Sequence, residues 1–328
     1  MKKIILCASA LMLGSLAFAQ SNENVISQNG SGNSSTVDQT GMTNRSVTRI
    51  FGDTNNTTLD QDGVSNNSVV EIAGNSSTDN TSDVIQDGTQ NNILVDVSGD
   101  RNMVTVEQVG DRNNQGDSFL PGEGVNITGD DNEAELYQLG NDNDGFIRQT
   151  GDENYAGISQ FGTDNLANII QEGDGNEATT EQGGVSGSSF ASRGGTSLQE
   201  QMGNDNSAYA AMEEDMNEIY QGQQGNGNEA SAIQNILSFG GNNVASQTQI
   251  GDNNSAEILQ EGSFNVATEM QSGDDNISFT QQIGTYNTST VMQGGNSNIS
   301  SVIQSGGSHI STVTQMGMGN SSSVTQSN

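Results

Sequence analysis

Glycine returns every eleven residues, and this spacing limits what the chain can fold into more than any other feature. It stands at Gly30, Gly41, Gly52 and Gly63, at Gly140, Gly151 and Gly162, and at Gly251, Gly262 and Gly273, with the same step in other runs such as Gly88, Gly99 and Gly110. An Asn follows three residues after most of these glycines, and a Gln six residues after that Asn. The pairs Asn33/Gln39, Asn55/Gln61, Asn102/Gln108, Asn132/Gln138, Asn165/Gln171, Asn254/Gln260, Asn298/Gln304 and Asn320/Gln326 repeat the motif, and about 26 such units lie between Asn22 and Gln326. A fixed short period is the signature of a solenoid, in which no unit buries its apolar face alone and stacked neighbours do so together.

Residues between each Asn and Gln alternate. Asn254, Ala256, Ile258 and Gln260 share one face of an extended segment, while Ser255, Glu257 and Leu259 share the other, because strand side chains have a period of two. The inner face thus reads Asn, small, aliphatic, Gln. Charges and strand aromatics such as Glu133, Glu135, Tyr137 and Phe146 are expected outside. Early in the chain the Gln position alternates with an aliphatic, as Gln39, Ile50, Gln61, Ile72, Gln86, Val97, Gln108. That alternation predicts a rung of two strands and two turns, 22 residues in all. The expected fold is all-β: a parallel β-solenoid of about 13 stacked rungs built from 11-residue half repeats, without terminal caps and roughly 60 Å long at 4.8 Å per rung. In such a stack Asn lies over Asn and Gln over Gln, where side-chain amides form ladders. The glycines mark the turns, where a positive φ costs Gly little.

Composition agrees with a thin core. Only 30% of the 328 residues are hydrophobic, against roughly 45–50% in an ordinary domain. Residues 1–19 read as a signal peptide: Met1-Lys2-Lys3, an apolar run, then Ala17-Phe18-Ala19. Removing them takes away Cys7 and both lysines, leaving six arginines and 41 carboxylates on a secreted chain. This balance excludes nucleic acid and anionic lipid as partners, since both require Lys or Arg to displace counterions. It leaves divalent cations as the plausible small partners. Membrane insertion is not expected, because the apolar run is too short to span a bilayer.

Residues 20–328 read as one domain with edge-loop insertions near 76–78, 111–128, 185–195 and 235–239, the second of which holds the only proline, Pro121. Proline removes a ladder donor and belongs outside a stacked sheet.

The run Gln249-Ile-Gly251-Asp-Asn-Asn254-Ser-Ala256-Glu-Ile-Leu-Gln260 resembles the curlin repeat of the curli family, whose subunits form amyloid fibres on bacterial surfaces. The resemblance covers nearly the whole chain after the signal peptide. It implies a cell-surface or extracellular structural subunit for adhesion and biofilm matrix, with itself as main partner, and a nucleator subunit and a curli-type secretion pore as further ones. Here the repeats begin almost at the cleavage site and are far more numerous than in a curli major subunit. An uncovered strand edge templates another chain, so the expected assembly is a head-to-tail polymer. Asp38 over Asp60 and similar acidic columns oppose it, by about 1 kcal/mol per pair in water. Lower pH or divalent cations are therefore expected to speed assembly.

Other chemistries find little support. Asn33-Ser-Ser35 and similar triplets follow from an Asn column beside a small-residue column rather than from glycosylation. The acidic turns, such as Gly129-Asp130-Asp131-Asn132, lack the spacing of known calcium loops. His309 stands where the repeat expects Asn and has no partners for catalysis or metal binding, so no enzyme, cofactor or metal site is expected. The alternatives to a fibre subunit are a monomeric ice- or glycan-binding solenoid and a calcium-dependent adhesin.

Overall fold

The computed structural model describes residues 21–74, 77–115, 124–184, 192–235 and 240–328. Among these residues there are 27 strands and no helix. The chain alternates between two parallel sheets and climbs one rung with every pair of strands. The first sheet runs from Glu23–Asn29 to Ile310–Met316 through 13 strands. The second runs from Ser34–Met42 to Ser321–Ser327 and has 14 strands, one of which, Ser192–Arg193, lies off the path beside Gly162 and Thr163. This is a β-solenoid of about 13 turns. The signal peptide expected over residues 1–19 lies outside the described residues.

Register holds like residues over one another. Ala134, Leu136 and Gln138 pair with Ala156, Ile158 and Gln160 in the next rung, and the same columns continue through Ala178, Thr180 and Gln182. Since a slip of one residue would turn the whole inner face outward, the alternation itself fixes the pairing. The aliphatic core is one residue wide from each sheet. Its largest cluster runs from Leu59 to Ala208, and two smaller ones follow, around Ile219 and Ile258 and around Val291, Val302 and Val313.

The expected insertions are narrower than their sequence intervals suggest. Within 111–128, Asn113 is buried and Gly124–Thr128 is a strand of the first sheet paired with Leu94–Ser98; residues 116–123 lie outside the described set. Within 185–195, Ser192–Arg193 pairs alongside the second sheet and Gly195 stands beneath Asn217 in the stack; residues 185–191 lie outside. Near 76–78, Ser77 is buried and Thr78 bridges to Asp53, while residues 75 and 76 lie outside; of 235–239, Asn235 is buried and 236–239 lie outside. The described strands on either side of these segments keep the register of the stack.

Most of the described turns use two left-handed positions, a glycine and the residue two places later, immediately before the ladder residue; before Asn217 the first of them is Glu214 (φ 67°). The thirteen glycines of the eleven-residue runs named above have φ between 98° and 134°. At Gly151 a Cβ would also overlap the carbonyl oxygen of Gly173 in the next rung. Close stacking, as well as the positive φ, therefore selects glycine. The second position is taken by non-glycine residues such as Glu153 (φ 58°), Phe264 (φ 57°) and Tyr286 (φ 58°). Such angles are costly for bulky side chains, and the stack offsets part of this: the Phe264 and Tyr286 rings lie parallel with centroids 5.0 Å apart.

The two glycine environments predict opposite effects. Gly151→Ala should destabilise the fold by about 1–3 kcal/mol through overpacking. Gly222→Ala, where an added Cβ meets nothing within 4 Å, should be neutral or stabilise the strand by about 0.5–1 kcal/mol. Urea unfolding of the two variants checks both.

Candidate functional site

The chemically distinctive feature is a set of side-chain amide columns at the two edges of the stack. Asn154 shows why the residue is Asn. Its backbone N–H and its Nδ2 both donate to Asn132 Oδ1 at 3.0 Å, and Nδ2 also donates to the Gly173 carbonyl at 2.8 Å. Its own Oδ1 accepts the backbone N–H and Nδ2 of Asn176 at 2.9 and 3.1 Å. Both amide donors and both acceptor sites are filled in a side chain 1% exposed. Asp lacks the donors, and Gln is one carbon too long to reach the adjacent backbone.

Along the second sheet this column is unbroken. Asn33, Asn55, Asn80, Asn102, Asn132, Asn154, Asn176, Asn206, Asn228, Asn254, Asn276, Asn298 and Asn320 each pass an Oδ1 to the backbone N–H of the next at 2.9–3.1 Å. Along the first sheet the column runs from Asn22 to Asn165 and donates no further side chain at Gly195. It resumes at Asn217 and ends at His309, whose N–H donates to Asn287 Oδ1 at 3.1 Å.

The Gln columns run in the opposite sense. Gln39 donates Nε2 to Gln61, and the series continues through Gln86, Gln108, Gln138 and Gln160 to Gln182 at 2.7–2.8 Å. Met212 interrupts it, and it resumes from Gln234 through Gln260, Gln282 and Gln304 to Gln326. Along the first sheet, apart from Gln28 in the first rung, the amide column begins only at Gln149 and passes through Gln171 to Gln315. Below it stand Ile50, Ile72, Val97 and Ile127. The consequence is one orphan: Gln149 Oε1 has no donor beneath it. Asn amides thus point toward lower residue numbers and Gln amides toward higher ones, so their dipoles oppose.

Seven of the eight Asn/Gln pairs singled out above lie along the second sheet, and Asn165/Gln171 along the first. The turn glycines supply the carbonyls: Asn33, Asn132 and Asn254 donate Nδ2 to Gly52, Gly151 and Gly273 at 2.6–2.8 Å.

Two interior features escape the simple repeat. Gly195 and Met212 replace an Asn and a Gln at one corner, and a Cβ on Gly195 would lie 3.0 Å from Met212 Sδ. The long thioether fills the space that the missing side chain leaves, at the cost of an unpaired Gln234 Oε1. The second is a correction to the expectation that charges face out. Glu269 is 1% exposed and occupies the inner aliphatic column. Its position was legible: it lies two residues before Gln271 and four after Asn265.

Outer faces carry the charge. Asp38, Asp60, Asp62, Asp83 and Asp87 gather on the second sheet, where Asp38 pairs with Asp60. Partial burial and then these neighbours hold the Asp60 pKa above its ordinary value. Elsewhere the arginines answer an acid one rung away: Arg101 and Arg112 form two-pronged bonds to Asp131 and Asp142 and hold both carboxyls below the usual range, and Arg49 meets Glu71 at 3.2 Å. Beyond Asp275 the sequence has no Asp, Glu, Lys or Arg.

The family model of the curlin associated repeat matches residues 77–110, 129–162, 162–189 and 251–279. Four stretches of the chain thus carry the curlin repeat. The matched segments take in the Asn102/Gln108, Asn132/Gln138 and Asn254/Gln260 ladder pairs, and the repeat together with the solenoid fits a curli-like structural protein. No curated protein matches the chain.

Asn154→Asp should place an unpaired carboxylate in the buried column and cost about 3–5 kcal/mol at neutral pH, read as a lower urea midpoint. Asp60→Asn acts in the other direction. Its folded pKa lies above the unfolded one, so the native carboxyl favours the fold in acid and that contribution is lost as pH rises through the raised value. The variant should gain about 0.2–1 kcal/mol at pH 7 and nothing at pH 3.

Proposed function

We propose that this chain is the structural subunit of an extracellular, curli-like amyloid fibre, growing by head-to-tail stacking of rungs and serving adhesion and biofilm matrix. It acts as one solenoid domain from residue 20 on, exported behind the signal peptide of residues 1–19.

The observation that carries this reading is the match between the first and last described rungs. Among the described residues, Ser34–Met42 and Ser321–Ser327 each pair on one side only. Set in the register of the stack, Ser322, Val324 and Gln326 of one copy fall on Ser35, Val37 and Gln39 of the next, with Asn320 on Asn33. The same columns already pair inside the chain, as Val302 on Val324 and Gln304 on Gln326. Ladder polarity fits as well. Asn320 presents an Oδ1 acceptor to the Asn33 N–H, and Gln326 presents its Nε2 to Gln39 Oε1. Thr325, not another acid, would meet Asp38, so the joint adds no like-charge contact. The curlin family supports self-assembly and an extracellular setting.

Purified chain should form filaments under negative stain with a meridional cross-β reflection near 4.7 Å. Val324→Glu and Val37→Glu, each at a half-buried inner position of a terminal strand, should prolong the thioflavin lag many-fold while leaving the monomer's β-sheet circular dichroism intact. A chain that stays monomeric without that reflection overturns the reading. Filaments that form equally fast in both variants overturn the proposed joint.

A further inference from the structure

One inner column changes character part-way along the stack. In the first sheet it is aliphatic at Val95, Val125, Ile147 and Ile169, and aliphatic again at Val291 and Val313, all buried. Between them stand Gln199, Gln221, Gln247 and Glu269, each no more than 3% exposed. The amides form a short directed row. Gln199 Nε2 donates to Gln221 and Gln221 to Gln247 at 2.8 Å, and Gln247 to Glu269 Oε2 at 3.4 Å. Thr180 of the facing sheet closes the near end by donating to Gln199 Oε1 at 3.0 Å.

The far end is not closed. Glu269 Oε1 has no hydrogen-bond partner, and neither has Thr280 Oγ1 on the facing sheet. The Thr280 and Ser278 hydroxyls lie near enough to favour the anion as hydrogen-bond donors, yet no bond of normal geometry reaches Oε1. Val291 stands above, with nothing to donate or accept. The strands Val244–Ile250, Ile277–Thr285 and Thr288–Gly294 packed around Glu269 carry no titratable charge. Ser255–Ser263 brings Glu257 and Glu261, both of like sign, and no Lys or Arg occurs beyond Arg193. A carboxylate here has one amide donor at 3.4 Å, two nearby hydroxyls that leave Oε1 unfilled, and no counter-ion.

We propose that Glu269 is a buried proton-binding site, neutral when the rungs around it are closed, and that releasing its proton to solvent opens the stack from Val244 to Gly294. The neutral carboxyl has what the gap lacks, one O–H donor alongside its remaining acceptor, whereas an uncompensated interior carboxylate is strongly disfavoured. Burial accordingly pushes the pKa from an ordinary 4.5 up to about 7, despite the opposing pull of Thr280, Ser278 and Gln247. With the folded value above the unfolded one, the contribution to stability is complete below about 4.5, declines as pH rises, and is lost once pH passes about 7. The site operates in a single copy and does not depend on fibre formation.

The test uses the full chain. Infrared spectra at pH 6 should contain the carbonyl band of a protonated carboxyl shielded from water, absent in Glu269→Gln. Amide hydrogen exchange over Val244–Gly294, corrected for intrinsic rates, should report an opening constant whose rise between pH 5 and 7 is steeper than that of Glu269→Gln by up to about tenfold per pH unit, one proton per opening. Glu269→Val repeats the comparison with the residue type found at Val291 and Val313, should Gln misfold. Absence of the band at pH 6, or a native slope equal to that of the variant, overturns the proposal.

Discussion

The structure depends on the stacking of side-chain amides between rungs. An interior Asn is ordinarily a liability, because each unmade bond leaves a desolvated dipole costing roughly 1–3 kcal/mol. In this chain the next rung sits one strand spacing away and carries the same residue, so an Asn such as Asn154 finds two donors and two acceptors in fixed places. Satisfaction requires a neighbour on both sides. A single rung would expose the deficit, and the ladder is thus a cooperative device that rewards length.

Several other features are consequences of that spacing. The sheets approach closely enough to leave room for one small and one aliphatic residue per strand, as at Ala156 and Ile158. Among the described residues no aromatic side chain is buried; they stay on the outer faces and turns. Turn glycines are needed because a carbonyl of the next rung occupies the place of a Cβ. Where the ladder is broken the repair is local: Met212 fills the space beside Gly195, and the unpaired Gln234 Oε1 is confined to the adjacent rung.

Charge is distributed unevenly along the rod. Acidic columns and their arginine partners occupy the earlier rungs, whereas the last rungs carry polar and apolar side chains without Asp, Glu, Lys or Arg. Self-repulsion therefore keeps most of the surface solvated and leaves the high-numbered end free of it. Glu269 departs from this pattern by standing in the inner column, where low dielectric rather than a neighbouring charge sets its behaviour.

The eleven-residue period, the Asn and Gln columns and the inner alternation were legible directly, because a one-dimensional repeat places each residue by counting and long-range contacts are only neighbours one rung away. Counting also locates Glu269 and Met212, yet it does not say whether an off-pattern residue is expelled or accommodated. Only the tertiary structure decided that Glu269 stays inside, that Met212 and Gly195 compensate each other, and that a left-handed residue precedes the ladder Asn in the turns between rungs. It likewise decided that Asn113 and Gly124–Thr128 stay in the stack beside an insertion. The physical reason is the same in each case: the period follows from the backbone hydrogen-bond spacing, which every rung shares, while these outcomes depend on the packing volume and unfilled hydrogen bonds of two or three particular side chains.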